Sequence, residues 1–284
     1  MAIKTENTNA GAAIISAPSP SVFLAEWLKN SEILPEAERR TFEGYYRNFG
    51  TLGSPRMRWA YDRQLDEVTK LVRSRPGLEL FEVGAGCGTE ALWFALVGAD
   101  VTSIDIKTDR LNTARARQKL MERYMGGELN CRFQQQNLLE TEGENRFDLI
   151  WAEQAFHHLE PRAECVAAIT RLLRPGGYVV ISEVNAWNPL IQLQLFMRRG
   201  FQTLSHFEDE DGNLVPYGNE RILTARRLNR WFRDAGLGQS ETNYYRVLPS
   251  NAAFDRFTAF ERLISGSALM PLNTHYNFVA RKPV

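Results

Sequence analysis

The chain has 284 residues, of which 44% are hydrophobic and 24% charged, as is typical of a globular protein with one large domain or a domain and an appendage. Basic and acidic residues both number 34, and this zero net charge argues against nucleic acid or an anionic membrane as the main partner. No apolar run approaches a membrane span. Three widely separated cysteines argue against a disulfide framework and favour a reducing cytosol.

The first strong strand pattern begins only after residue 76. Residues 1–20 are small, polar and punctuated by proline, so we predict a disordered tail there. Three helices are predicted within residues 21–76, and we interpret them as an N-terminal helical cap. The last of these helices begins at Ser54 and Pro55, which suit the N-cap and the first position of a helix.

Strands and helices alternate over the next hundred residues. The predicted strands are 78–83, 101–104, 130–135, 147–151 and 178–183. Such alternation predicts a parallel sheet with helices on both faces, which is an α/β fold.

An insertion over about 185–223 interrupts this regularity. It contains an apolar helix pattern at 189–204 and a turn-rich piece that predicts a hairpin around residues 211–213. Two last strands are predicted at 239–248 and 276–281.

A glycine-rich turn follows the first strand. Glu82 precedes Gly84, Ala85, Gly86, Cys87 and Gly88, and a helical pattern begins directly afterwards. Glycines let the backbone approach a ligand, and the N-terminus of a helix offers free N–H groups. The spacing is G-x-G-x-G, whereas a dinucleotide site would have G-x-G-x-x-G.

This turn resembles motif I of the class I S-adenosylmethionine-dependent methyltransferases. The resemblance continues at Asp105, in FDLIWAEQAFHHL (147–159) and in LLRPGGYVVISE (172–183), and so covers roughly 78–183. It implies a Rossmann-like sheet of seven mostly parallel strands with an antiparallel final strand, in a domain over 77–284 that carries the cap insertion after strand 5. It also implies S-adenosyl-L-methionine as the cofactor and a small organic molecule as the methyl acceptor.

The resemblance further implies which residues hold the cofactor. Glu82 and the backbone of residues 84–88 would surround its methionine part. Asp105 would bind the ribose, because a carboxylate accepts hydrogen bonds from two hydroxyls. Asn137 is a departure, since the family usually has an acidic residue there facing the adenine amino group. The full expected set is Glu82, Gly84, Ala85, Gly86, Gly88, Asp105, Ile106, Asn137, Leu138, Glu153 and Gln154.

His157 and His158 are the candidate catalytic residues. Histidine titrates near neutral pH and can take the proton of a hydroxyl that is being methylated. A structural role in capping or packing remains open for the pair. No metal is expected, although a site with Glu153 or His206 as partner remains an alternative.

The acceptor is the least determined part of the function. O-methylation is favoured over N- or C-methylation, and an apolar or aromatic pocket is expected to use Tyr46, Trp187, Phe201 and Tyr217. These aromatic residues can instead build the underside of the cap. A non-catalytic scaffold and a nicotinamide-dependent oxidoreductase remain alternatives, and the oligomeric state is open.

Part of the N-terminal cap is a candidate lid. Residues 45–47, with Arg56, Arg58 and Trp59, could close over the cofactor, because arginine suits its carboxylate. The alternative is that these residues form solvated helix faces with an aromatic core stripe.

Overall fold

The structure is a computed structural model that describes residues 2–47, 52–208, 212 and 214–284. The chain divides into two compact units, residues 1–137 with 249–258, and residues 138–248 with 259–284. This division differs from the predicted boundary at residue 77, because the N-terminal helices and the first three strands share one unit.

The first unit contains the N-terminal helices and the first half of the alternating pattern. Its regular elements are α1 (Ala2–Ile15), α2 (Pro20–Lys29), α3 (Glu36–Tyr45), α4 (Pro55–Ser74), β1 (Glu79–Val83), α5 (Thr89–Leu96), β2 (Asp100–Asp105), α6 (Thr108–Met125) and β3 (Cys131–Gln135). Helix α4 begins as predicted, because the Ser54 hydroxyl accepts a hydrogen bond from the Met57 amide and Pro55 follows it.

The N-terminal segment differs from the predicted disordered tail. Residues 2–15 form α1, in which Ala10 and Ile14 are buried and Gly11 packs against the ring of Tyr124 on α6. The apolar residues near Ile14 find a partner surface on α6, which composition alone does not indicate.

The second unit contains the rest of the sheet and the insertion. Its elements are β4 (Phe147–Glu153), α7 (Arg162–Leu172), β5 (Leu173–Val184), α8 (Pro189–Arg199), β6 (Leu204–Glu208), β7 (Leu214–Gly218), α9 (Ala225–Asp234), β8 (Ser240–Tyr245), α10 (Thr258–Ile264) and β9 (His275–Arg281). The α10 segment begins at the last residue of the first unit. Strand β5 begins earlier than the predicted strand at 178–183, and residues 174–177 form an irregularity within it, where the pairing with β4 shifts from Phe147–Leu173 to Leu149–Tyr178.

The main sheet has seven strands in the order β3-β2-β1-β4-β5-β9-β8. In the first unit β2 pairs in parallel with both β1 and β3. In the second unit β4 and β5 are parallel, and β9 runs antiparallel to β5 and β8. The predicted seven-stranded, mostly parallel sheet with an antiparallel final strand is therefore confirmed.

The insertion after β5 forms one helix and one hairpin. Helix α8 is capped by Asn188, whose side chain accepts hydrogen bonds from the Leu190 and Ile191 amides. Strands β6 and β7 pair antiparallel as a separate two-stranded sheet. The predicted turn residues 211 and 213 lie outside the described residues. Among the described residues, no helix is long and apolar enough to cross a membrane.

Candidate functional site

The glycine turn has a conformation that only glycine adopts without strain. The φ angles of Gly84, Gly86 and Gly88 are +89°, +50° and +76°. A Cβ at Gly88 would lie 2.6 Å from the Ala114 Cβ, and a Cβ at Gly86 would collide with the Tyr45 hydroxyl. Both conformation and space therefore require glycine at positions 86 and 88.

Asp105 ends β2 and is tied to this turn. Its Oδ2 accepts a hydrogen bond from the Gly86 amide at 2.8 Å, and its Oδ1 accepts one from the Lys107 amide at 2.9 Å. Each carboxylate oxygen has two lone pairs, so the oriented group can still accept ribose hydroxyls. The N-cap position of α6 is Lys107, so the Asp105 carboxylate holds the turn before the helix and does not cap it.

The other cofactor candidates of the first unit are placed in ways that fit the predicted group. Glu82 is buried in β1 and accepts a hydrogen bond from the Ser103 hydroxyl. Ile106 is 39% exposed beside Asp105, so its side chain is accessible to a ligand. Asn137 is half-buried after β3. Leu138, the first residue of the second unit, is buried, so only its backbone could contact a ligand.

Tyr46 supports the turn, which differs from its predicted contact with the acceptor. Its ring is buried, and its hydroxyl donates to the Thr89 hydroxyl at 2.6 Å. Burial and the nearby Glu90 raise the pKa of Tyr46 well above its usual value, so the phenol stays protonated. Thr89 is the first residue of α5, and Tyr46 therefore links the end of α3 to the turn.

Arg117 is a supporting residue that the sequence analysis missed. Its guanidinium donates to the Cys87 carbonyl and to the Thr89 hydroxyl, each at 2.7 Å. It lies over the rings of both Trp27 and Phe42, 4.5 and 4.7 Å from their centroids. A lone arginine on the buried face of a polar helix is the only sequence signal for such a role.

The candidate lid arginines hold main-chain groups of their own unit. Arg56 is fully buried, donates to the Pro249 carbonyl and lies 3.7 Å from the Asp255 carboxylate. Arg58 donates to the Leu52 carbonyl at 2.7 Å. These contacts favour a structural role for both residues.

His157 forms a pair with Glu183 in the second unit. It lies in the short 3₁₀ helix Phe156–His158 after β4, and Glu183 lies near the end of β5. The Glu183 carboxylate accepts from His157 Nδ1 at 2.7 Å and from the His157 amide at 3.1 Å. Because a carboxylate only accepts, Nδ1 carries the proton and Nε2 holds the lone pair of the neutral ring.

Two opposing effects set the charge of His157. Burial alone would lower the pKa of this imidazole, but the Glu183 carboxylate and its hydrogen bond, with Glu220 and Glu153, raise the pKa above its usual 6.5. Glu220 Oε2 lies 3.8 Å from His157 Nε2. The ring is therefore a stronger base than an isolated histidine.

His158 is held in a neutral state by its surroundings. Its Nδ1 donates to the Gly218 carbonyl at 2.8 Å, and the Tyr217 hydroxyl lies 3.2 Å from its Nε2. The Tyr217 ring stacks on it with 4.5 Å between centroids. Burial and the neighbouring His157 lower the pKa of His158 to about 4. These contacts anchor the hairpin strand β7 to the histidine pair and favour a positioning role for His158.

Glu153 is the last residue of β4, and Gln154 follows it just before the histidines. Gln154 has a φ of +42°, and Glu220 has a φ of +48°, which are uncommon conformations for residues with side chains. The candidate metal site differs from the predicted alternative. Possible ligand atoms of His157, His158 and Glu220 lie within 4.8 Å of one another, whereas the predicted partners Glu153 and His206 are not in this cluster.

The acceptor candidates of the insertion differ in exposure. Trp187 is 47% exposed and Phe201 is 90% exposed, and Phe201 packs edge-on against Phe196. Tyr217 is half-buried against His158. Other exposed apolar residues of the insertion are Leu190, Leu193, Met197, Leu204 and Leu214. The insertion thus carries apolar surface beyond what its own fold buries.

Comparisons with known proteins agree with these observations. A family profile described as a methyltransferase domain matches residues 81–181. A ubiquinone biosynthesis O-methyltransferase of Alkalilimnicola ehrlichii is 31% identical over 179 residues, which cover 61% of this chain and 66% of that protein. The match thus spans just under two thirds of that relative.

Two solved structures share the fold. Phosphoethanolamine N-methyltransferase 2 of Haemonchus contortus, in complex with S-adenosyl-L-methionine, aligns with a TM-score of 0.55 and 15% identity over 79% of this chain and 53% of that one. A SAM-dependent methyltransferase from Methanosarcina mazei aligns with a TM-score of 0.51 and 15% identity over 74% of this chain and 94% of that one. The methyltransferase-domain match, the O-methyltransferase relative and the shared fold together support a class I S-adenosylmethionine-dependent methyltransferase, a kind of enzyme whose cofactor is S-adenosyl-L-methionine.

Proposed function

We propose that this protein catalyses methyl transfer from S-adenosyl-L-methionine to a hydroxyl group of a small organic acceptor. The observation that carries the choice of oxygen is the His157–Glu183 pair, because a hydroxyl must lose its proton as it is methylated. The name of the ubiquinone biosynthesis O-methyltransferase relative supports the same choice.

The chain's own residues position the groups and move the proton. Bound S-adenosyl-L-methionine supplies an electrophilic methyl group. Asp105 and the glycine turn would orient the cofactor. His157 Nε2 would accept the proton of the acceptor hydroxyl as the methyl group passes from the cofactor's sulfur to the acceptor oxygen. Glu183 fixes the tautomer and stabilises the resulting imidazolium, the arrangement seen in general-base pairs. His158, held by Gly218 and Tyr217, keeps His157 in place.

The acceptor pocket that we propose lies at the insertion. Trp187 and Phe201 offer apolar surface, and Tyr217 contributes an aromatic wall beside His158. An acceptor with an aromatic or lipid-like body and a hydroxyl fits this chemistry. The compartment that we propose is a reducing cytosol, because Cys87, Cys131 and Cys165 are free thiols.

The first test separates the classes of function. Calorimetric titration with S-adenosylhomocysteine should show binding, and an assay for its release should show turnover with phenols or alcohols in preference to amines. Absence of binding would remove the methyltransferase proposal and favour a scaffold. Turnover with amines alone would overturn the O-methylation proposal.

The second test concerns the base. His157→Ala should lower kcat by about 10²–10⁴-fold and leave S-adenosylhomocysteine affinity unchanged. His206→Ala is the matched control, since His206 lies on β6 outside the pair. Full turnover of the His157→Ala variant would exclude the base. Loss of wild-type turnover in a chelator would favour the metal alternative with Glu220 over proton transfer to His157.

A further inference from the structure

Tyr45 lies against the centre of the glycine turn. It is the last residue of α3, and its side chain is 39% exposed. A Cβ added to Gly86 would collide with the Tyr45 hydroxyl and lie 2.7 Å from its Cζ. The phenol therefore occupies the space directly over the middle glycine of the motif.

The position of this ring is fixed by the turn's own neighbours. Tyr45 packs edge-on against Tyr46 with 4.9 Å between ring centroids, and Tyr46 is anchored to Thr89 at the start of α5. The Arg110 guanidinium lies 5.1 Å from the centre of the Tyr45 ring. Helices α5 and α6 thus both hold the ring where it is, although it is partly exposed.

Gly86 lies between the Asp105 carboxylate and the Tyr45 phenol. Its amide donates to the Asp105 carboxylate, which the family resemblance assigns to the ribose, and its Cα side faces the Tyr45 phenol. We propose that Tyr45 contacts the bound cofactor: its ring shields the ligand from water and its hydroxyl donates a hydrogen bond to it. This role goes beyond the proposed function, because it concerns cofactor binding alone and does not depend on the acceptor.

The tandem tyrosines then have different tasks. Tyr46 is buried and acts through Thr89 on the turn, whereas Tyr45 presents its hydroxyl at the surface of the turn. Removal of the Tyr45 side chain should therefore weaken cofactor binding and have little effect on folding. Removal of the Tyr46 hydroxyl should weaken folding as well, because it takes away the hydrogen bond that the buried Thr89 hydroxyl accepts.

Calorimetric titration of the full chain with S-adenosylhomocysteine tests the proposal. Tyr45→Phe should weaken binding by about 3- to 10-fold through the lost hydrogen bond, and Tyr45→Ala by about 10- to 100-fold through the added loss of the ring. Tyr124→Phe is the matched control, because Tyr124 belongs to the same unit but packs against Gly11. This variant should bind S-adenosylhomocysteine with wild-type affinity. The thermal unfolding midpoint of each variant reports whether it folds.

A double-variant experiment checks the contact itself. Gly86→Ala places a methyl group into the Tyr45 phenol, so it should lower the unfolding midpoint more in the wild-type background than in the Tyr45→Ala background. Equal effects in the two backgrounds would show that Tyr45 does not lie over Gly86. A Tyr45→Ala variant that folds normally and binds S-adenosylhomocysteine with wild-type affinity would overturn the proposal.

Discussion

Replacing Glu183 with glutamine changes the charge beside His157 and keeps the shape of the side chain. The carboxylate accepts hydrogen bonds from Nδ1 at 2.7 Å and from the His157 amide at 3.1 Å. A glutamine accepts with one oxygen only, so one of the two bonds is lost and the remaining one is neutral. Without the carboxylate, burial dominates, and the pKa of His157 should fall below the value that it has in the wild type.

The effect on stability follows from the same contacts. A hydrogen bond to a charged group contributes about 1.5–3 kcal/mol, so the variant should lose about this free energy of unfolding while His157 is protonated in the wild type. A histidine whose folded-state pKa is raised stabilises the fold fully below its ordinary pKa of 6.5, and this contribution disappears as pH rises through the folded-state pKa. The difference between wild type and variant should therefore be largest near about pH 6 and smaller near about pH 9.

Two measurements check this reasoning without knowledge of the acceptor. The chain has only four histidines, so NMR titration of labelled histidine can follow His157 in both proteins. Urea unfolding at the two pH values gives the stability difference. Glu261→Gln is the matched control, because buried Glu261 accepts from the Val247 and Leu248 amides and should lose stability without moving the pKa of His157. A wild-type pKa at or below 6.5, or one that Glu183→Gln leaves unchanged, would refute the pairing.

Three further predictions concern the turn and the insertion. Asp105→Ala should weaken S-adenosylhomocysteine binding by more than about tenfold in a calorimetric titration, and unchanged affinity would remove the ribose assignment. Gly88→Ala should lower the free energy of unfolding by about 2–4 kcal/mol, because of its φ of +76° and its contact with Ala114. Gly127→Ala, with no atom within 4 Å, should change it by less than about 0.5 kcal/mol, so equal losses in denaturant unfolding would contradict the steric reason. Phe201→Ser should leave stability within about 0.5 kcal/mol, since the ring is 90% exposed, but raise KM for an apolar acceptor; an unchanged KM would place Phe201 outside the pocket.

Local chemistry explains which parts of the site could be predicted. The glycine spacing, Glu82 and Asp105 were recognisable because a tight turn and a ribose contact restrict the residue types at fixed positions along the chain. The histidine pair was recognisable because two adjacent histidines follow the fourth predicted strand and histidine can accept a proton near neutral pH. Which histidine has a carboxylate partner was not, because Glu183 is 26 residues away from His157 in sequence.

Supporting residues were harder to predict because their partners come from distant segments. Arg117 holds the Cys87 carbonyl 30 residues earlier, and Tyr46 reaches Thr89 43 residues later. Glu220 joins the histidines from the end of the hairpin, in place of the predicted Glu153 or His206. None of these pairs leaves a periodic or spaced pattern in the sequence.

By itself, the sequence determined most of the order of strands and helices after residue 20, the glycine turn and the resemblance to the methyltransferase family, because alternating hydrophobic segments and glycine positions act locally. Tertiary structure alone decided that residues 2–15 form a helix against α6, that Tyr46 is a buried support while Tyr45 lies over Gly86, and that Glu183 pairs with His157. The physical reason is that burial and hydrogen-bond partners depend on which surfaces meet in the folded chain. Such contacts determine the pKa of His157 and place the Tyr45 ring over Gly86.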